Sequence, residues 1–378
     1  MSGYRVRSDI TLANQEDADY LLANLKKVIG KELKVSQYGE VSSIDYHVCH
    51  HDELPPIPCE TIEYINLKEE QESPVIDGDV FIAASNAPAR DKAKADAVCN
   101  GKNDAALLYD VYLSMGRAGH LKVSKGAFYL EQDIPIVHSL EGFILSGQGR
   151  STSFAVLPSS SPRYAFTVGA PGNFCYGSSF RDFSLSLGTP NANGIDLVCG
   201  DRISFSGIYS NYGGTVFRCR KDKTDTEVNA ISWDNCHLIR YSEHGIHGVN
   251  TVTQSMVSNS TISSLYANKG IGVLLEGNPF AVKLQVVVFE SNFTSVKMMG
   301  GYPKKIESCC FSDTNDNGQL HLHGGESVDS CWFMGSPVAM LAANNAKVRI
   351  ENINWQSVGE ILKLEGALHP KSYVDFLE

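Results

Sequence analysis

The sequence predicts an all-β chain wound as a parallel β-helix, a solenoid with an N-terminal capping helix and a small α+β module ahead of it. Two interleaved phrases and the composition predict it. The first phrase reads apolar residue, acid or Ser, then Asn, Ser or Gly, then a small or apolar residue. It recurs at Phe205, Trp233, Val257, Phe289, Ile306, Val328 and Ile350, in steps of 28, 24, 32, 17, 22 and 22 residues. A period in that range with tolerated insertions marks stacked solenoid turns. The second phrase sets a turn residue before short alternating apolar positions, as in Gly194 to Leu197, Gly214 to Phe217, Gly270 to Val273, Gly318 to Leu322 and Pro337 to Met340. Alternation of period two is the strand signature, and Gly gives a corner its backbone freedom. At 378 residues, 43% hydrophobic and 20% charged, the chain is long enough for one solenoid plus a small domain.

Residues 1–66 read as a small α+β attachment module. A strand runs from Arg5 to Leu12, Leu21, Leu22, Leu25 and Val28 keep helical spacing, and Leu33 to His47 alternate as a hairpin about Gly39. Residues 67–78 are charged and contain Pro74, which fits a linker. Residues 79–150 hold the cap and first turns, with an amphipathic helix from Ala105 to Met115 turning Leu107, Leu108, Val111 and Tyr112 inward. Such a helix covers the unpaired strand groups and apolar interior of an open solenoid end. Residues 151–378 form the body and the C-terminal end. Asn235, Asn259 and Asn352 fall at corners, where Asn tolerates left-handed backbone, and are expected to form a ladder of amides from turn to turn. Of ten cysteines, Cys236, Cys309 and Cys331 share one slot and Cys199 and Cys219 another, which predicts a reduced stack rather than disulfides.

The run Phe81-Ile82-Ala83-Ala84-Ser85, then Asn100-Gly101-Lys102-Asn103-Asp104, the helix, Gly119 to Tyr129 and Gly142 to Gly149 resemble a known opening. It is that of the pectate-lyase-like right-handed β-helix superfamily, in the variant common in phage tail proteins and bacterial surface proteins. The resemblance spans about residues 80–150 and implies the fold and the cap. It implies no single activity, because that superfamily hosts lyases, hydrolases, transferases and non-catalytic receptor binders. Phe180-Arg181-Asp182-Phe183, Gly194-Ile195-Asp196 and Asp201 to Phe205 are similar to a stretch of the inulin fructotransferases, trimeric β-helices that cleave fructans by internal transfer. Where that family carries a catalytic Glu, this chain has Asn211, so the resemblance implies kinship of fold without that proton donor.

Chemistry is expected at three places. The acids Asp234, Glu290, Glu307, Asp329 and Glu351 precede corners, and on turns about 4.8 Å apart Glu307, Asp329 and Glu351 would raise one another's pKa. The cluster Arg240-Tyr241-Ser242-Glu243-His244-Gly245-Ile246-His247-Gly248 offers Glu243 as a general acid. Asp196 or Asp234 would be its partner, His247 would flank it, and Arg240, Tyr241 and His244 would bind substrate. Gly245 to Gly248 is similar to the Gly-His-Gly motif of polygalacturonase-type hydrolases, with an Ile inserted and without that family's Asn-Thr-Asp and Asp-Asp elements. In the N-terminal module His47, Cys49 and His51 alternate on one strand face, and Cys59 would complete a tetrahedral zinc site. No other cofactor is required.

A net charge of −11 without basic clusters argues against nucleic acid. No run approaches the roughly 18 to 20 apolar residues of a membrane span. Met1 to Arg7 lack the apolar core of a secretion signal, so synthesis is expected in the cytoplasm, with a virion or extracellular location after release. The function expected is that of a virion tail-spike or tail-fibre protein binding host cell-surface polysaccharide, its N-terminal module meeting other virion proteins. The alternatives are a carbohydrate-active enzyme and a non-catalytic adhesin or scaffold. Val287, Trp332 and Met340, read as surface positions, predict a homotrimer.

Overall fold

The computed structural model describes residues 5–8, 33–38, 41–47 and 78–376, apart from 138–141, 221–227, 250–251, 265–269, 278, 301 and 313–317. Two compact units divide the chain, Met1–Glu70 and Gln71–Glu378. In the first, strands Arg5–Ser8, Leu33–Tyr38 and Val41–His47 form an antiparallel sheet with the last of them central. Tyr38 pairs with Val41, and Gly39, about which the hairpin was expected to turn, lies outside the described residues. The helical stretch before it, and the linker up to residue 77, lie outside the described residues.

The second unit is a parallel β-solenoid of about nine turns. Its strands stack into three long sheets of thirteen, ten and ten strands, here faces I, II and III, which the chain visits in that order. One turn runs through Ser232–Asp234 on face I, His237–Tyr241 on face II and His244–Val249 on face III. Side chains alternate along each strand, so one of every two points into the coil. The inward columns are apolar and continuous: Phe289, Phe311 and Phe333 stand in register on consecutive face II strands, their rings stacked 5.0 and 4.7 Å apart.

The corner from face I to face II explains the recurring phrase. From Asp182 onward it is always two residues long, and its first residue has a positive φ: Asp182, Gly207, Asn235, Asn259, Val286, Ser308, Ser330 and Asn352. Left-handed backbone selects Gly, Asn and Asp there. The amides do not bond Asn to Asn as expected. Asn259 Nδ2 donates to Asp234 Oδ1 at 2.8 Å and Asn352 Nδ2 to Asp329 Oδ1 at 2.9 Å, each reaching the acid one turn back. The next residue of the corner points inward, and Cys236, Cys309 and Cys331 fill it as buried free thiols. Cys219 pairs with Leu197, so Cys199 does not share its slot.

One copy of the phrase belongs elsewhere. Phe289 and Glu290 lie on face II, and Ser291, at φ 52°, turns the chain toward face III. The face I strand of that turn is Val282–Gln285, so the copy there is Leu284-Gln285-Val286-Val287, and steps of 32 and 17 become 27 and 22. Val286 holds φ 53° while 48% exposed, a conformation that β-branched side chains rarely adopt. Val286→Asn is therefore expected to raise stability by about 1 kcal/mol and Asn259→Ala to lower it by about 1–2 kcal/mol, read from denaturant midpoints.

The cap forms where expected. Helix Asp104–Ser114 buries Ala105, Leu108 and Tyr112, while Leu107 and Val111 pack against the core half-buried. Tyr112 meets Phe143 edge-on at 4.9 Å and its hydroxyl donates to the Val137 carbonyl at 2.7 Å. Asp104 is fully buried and accepts N–H bonds from Gly101 at 2.9 Å and Tyr129 at 2.8 Å, which ties the helix start to the first face II strand, Gly126–Leu130. Gly101 sits at φ 78°, and a Cβ there would meet Ser85 Oγ at 2.4 Å. Of the three apolar positions expected at the surface, Val287 and Met340 are inside, because both alternate inward, and Trp332 alone is exposed.

Candidate functional site

A polar array crosses the corner from face II to face III and continues over face III. Its backbone is a register of outward residues: Thr167, Asp196, Arg218 and His247 stand side by side on four consecutive strands about 4.8 Å apart. Asp196, 2% exposed, is gripped by Arg218 through two bonds of 2.8 and 2.7 Å, and Arg220 Nε adds a third at 2.9 Å. Bidentate Arg–carboxylate pairing of this kind fixes both groups. The Arg218 guanidinium lies 4.6 Å from the centre of the Tyr164 ring, which makes a flat, charged platform.

His247 follows Arg218 in the column. Its Nε2 lies 3.0 Å from Oε2 of Glu276, the residue just after the next face III strand, Ile271–Leu275. The His244 ring stacks on His247 with centroids 4.2 Å apart. Burial, reinforced by His247 and opposed by Glu276, pushes the His244 imidazole down to about 4, so it is neutral at ordinary pH. Thr215 Oγ joins the group, donating to Glu243 Oε2 at 3.2 Å and lying 3.3 Å from His244 Nδ1. At the corner itself, Arg240 holds φ 61° and sets its guanidinium 5.3 Å over the Tyr212 ring, with Nη1 donating to the Tyr212 hydroxyl at 3.0 Å.

Glu243, His244 and His247 thus come together, with Arg240 at the corner of the same turn. The other expected partners do not join them. Asp196 has both oxygens occupied by arginines. Asp234 is on face I, a different side of the coil, where it accepts bonds from Ser258 Oγ and Asn259 Nδ2. Tyr241 is not a substrate ligand: it points inward, fully buried, and its hydroxyl donates to Asn292 Oδ1. Glu243 is itself exposed, so the histidines do not desolvate it. Asn211 lies on the neighbouring face II strand, its Oδ1 buried without a hydrogen-bond partner.

The acid stripe is half present. Glu307, Asp329 and Glu351 are in register on face I, whereas Glu290 is on face II. For Glu307 and Asp329 the expected upward pKa shift is reversed. Bonds from Lys283 and Lys305 hold Glu307 below the usual carboxylate range, and Asn352 and Ser330 do the same for Asp329. Direct cations and donors outweigh repulsion between like charges one strand apart. Of the zinc set, His47 ends strand Val41–His47, and Cys49, His51 and Cys59 lie outside the described residues.

Sequence reading missed Tyr164, Thr215, Arg218, Arg220 and Glu276. Arg218 and Arg220 alternate about Cys219, a legible outward pair. Glu276 could not have been matched to His247 without the strand register, because a whole turn of the coil, including strands Met256–Ser258 and Thr261–Ser264, separates them.

No protein-family profile matches the chain, and no curated protein matches it. Among solved structures, the alginate lyase from Paenibacillus sp. str. FPU-7 is similar at a TM-score of 0.53 and 10% identity, over 76% of this chain and 98% of that one. The DFA-IIIase from Arthrobacter chlorophenolicus A6 gives a TM-score of 0.53 at 11% identity, over 76% and 86%. The tailspike protein gp49 from Acinetobacter baumannii bacteriophage Fri1 gives 0.46 at 10% identity, over 89% and 66%. The chain shares the parallel β-helix fold of the alginate lyase and the DFA-IIIase, and the likeness is one of fold. No helix among the described residues is long and apolar enough to cross a membrane.

Proposed function

We propose that the solenoid binds an extended polysaccharide along the array of Arg240, Glu243, His244, His247 and Arg218, as the receptor-binding part of a virion tail spike or fibre. The observation that carries this reading is the linear spacing of the array. Hydrogen-bonding groups repeat at each strand, and Tyr164 and Tyr212 set two aromatic planes beside them, each stacked with an arginine. A chain of sugars offers hydroxyls at regular intervals and apolar ring faces, and such a surface meets both. The virion part of the reading is supported by the resemblance of residues 80–150 to phage tail proteins, and the N-terminal module is the part that would meet other virion proteins.

The chain acts in this reading as a homotrimer. Trp332 is 48% exposed and stands in one outward column of face II with Cys310 and Val288, a stripe that a neighbouring copy would cover. Cleavage along the array is expected to be weak at most, because Asp196 is saturated by arginines and Asp234 is on another face.

Binding is tested with a panel of bacterial surface polysaccharides, reading affinity, reducing ends and unsaturated products, alongside light scattering of the free protein. Arg240→Ala is expected to weaken binding about tenfold, equivalent to about 1.4 kcal/mol. Equal affinity of wild type and Arg240→Ala for every bound polysaccharide would place the ligand elsewhere. A monomer at micromolar concentration would overturn the trimer.

A further inference from the structure

Outside the array, the first turns of face I carry a second cluster. Asp79, His120 and Ser146 come from three consecutive strands, Asp79–Ala83, Gly119–Val123 and Phe143–Ser146. His120 Nε2 lies 2.6 Å from Ser146 Oγ, and His120 Nδ1 lies 3.6 Å from Asp79 Oδ1. Ser146 is flanked in its outward column by two cations, Lys122 on the strand before and Arg181 on the strand after. Lys122 also bonds the Asp79 carboxylate. The His120 side chain is 16% exposed and Ser146 9%, so the pair is sheltered but reachable.

We propose that Ser146 and His120 are a nucleophile and general base for hydrolysis of small acyl esters, with Asp79 as the residue that positions His120. Parallel strands supply the order by themselves: on neighbouring strands of one face Asp79 stands directly beside His120 and Ser146 diagonally from it, without any loop. With the Nδ1 proton directed at Asp79, Nε2 accepts from the Ser146 hydroxyl. Burial, Lys122 and Arg181 lower the His120 pKa against the pull of Asp79, with burial the largest effect, so the ring is a free base at neutral pH.

Ser146 Oγ bonds to the carbonyl carbon of the ester as its proton passes to His120 Nε2. The negative oxygen that develops lies in the field of Lys122 and Arg181. The carbon–oxygen bond to the alcohol then breaks, and the alcohol oxygen leaves with the proton from Nε2. Water, deprotonated by the same nitrogen, cleaves the acyl–Ser146 ester, releasing a carboxylic acid and restoring the hydroxyl. With Ser146 only 9% exposed, the acyl group proposed is a small one such as acetyl. That the alcohol is a sugar hydroxyl rests on the polysaccharide reading above; the ester chemistry does not.

The test uses the full chain with p-nitrophenyl acetate, an alkyl fluorophosphonate probe and O-acetylated bacterial polysaccharides. The expected results are labelling at Ser146, located by mass spectrometry, and a fall in kcat/KM of at least about 100-fold for Ser146→Ala and His120→Gln, in line with the usual contribution of general base catalysis. Unchanged thermal melting would separate this from unfolding, and near-isosteric Ser146→Cys gives a second readout, alkylation by iodoacetamide that His120→Gln slows. In Asp79→Asn the acid limb of the rate profile is expected to move to lower pH, because the carboxylate that raises the His120 pKa is gone. Wild-type turnover equal to that of Ser146→Ala, without labelling at Ser146, would overturn the proposal. Turnover of p-nitrophenyl acetate with no acetate released from any polysaccharide would keep the triad and overturn the sugar ester as its substrate.

Discussion

Replacing Lys304 by Met is expected to destabilise the solenoid by about 3–5 kcal/mol, seen as a lower denaturant midpoint. Lys304 and Glu326 start adjacent face I strands in register, and both side chains are 0% exposed, with Nζ 2.7 Å from Oε1. The ammonium also donates to the carbonyls of Met298 at 3.2 Å and Gly300 at 2.6 Å, while Glu326 accepts from the N–H groups of His323 at 3.2 Å and Gly324 at 2.6 Å. Removing the cation leaves a buried carboxylate and two carbonyls without their donor.

The deficit should depend on pH. Burial outweighs the attraction of Lys304 and holds the Glu326 carboxyl above its ordinary value. An acid whose pKa rises on folding keeps a proton that the unfolded chain has released, so its contribution to stability falls as pH climbs above the ordinary carboxylate range. Without Lys304 that rise is larger, and the loss is expected to be greater at pH 8 than at pH 5. Lys304→Met with Glu326→Leu should recover most of it. A deficit indifferent to pH would mean that Glu326 is not the group left uncompensated.

Phe311→Ala is expected to cost about 3–5 kcal/mol through lost burial and the cavity left behind. The ring is fully buried between Phe289 and Phe333, nearly parallel to both at 9° and 5°. Because each turn of a solenoid rests only on its neighbours, the damage should stay local. Amide exchange is expected to quicken across residues 288–334 and to remain slow across 126–156. Uniform quickening would show that the whole solenoid opens as one unit.

The parts of the fold legible in the sequence were those fixed by backbone geometry alone. Asn235, Asn259 and Asn352 mark the left-handed corner because few residue types tolerate it. The same chemistry misplaced one copy of the phrase: Ser291 is left-handed too, at a different corner, while Val286 hides the true one behind a side chain unsuited to it. The site was less legible, because its members are joined by register and not by spacing. Glu243, His244 and His247 are close in sequence and were found; Glu276 and Arg218 reach them from adjacent turns across connections of unequal length. Tyr241 was misplaced because alternation breaks at Arg240, where the corner turns the following side chain inward.

The constant corner between faces I and II also sets where this chain can change over generations. A rung there spans the same two residues from Asp182 to Ile353, whereas the passage back to face I is short between Leu322 and Glu326 and long between Arg220 and Ser232. An inserted or deleted residue is absorbed in that passage without displacing any strand, but at the fixed corner it would reverse the inward and outward sides of everything that follows in the turn. Lineages of this protein should therefore differ in length along two edges of the coil and agree along the third. New specificity can be acquired on the variable edges while the fixed one preserves the register.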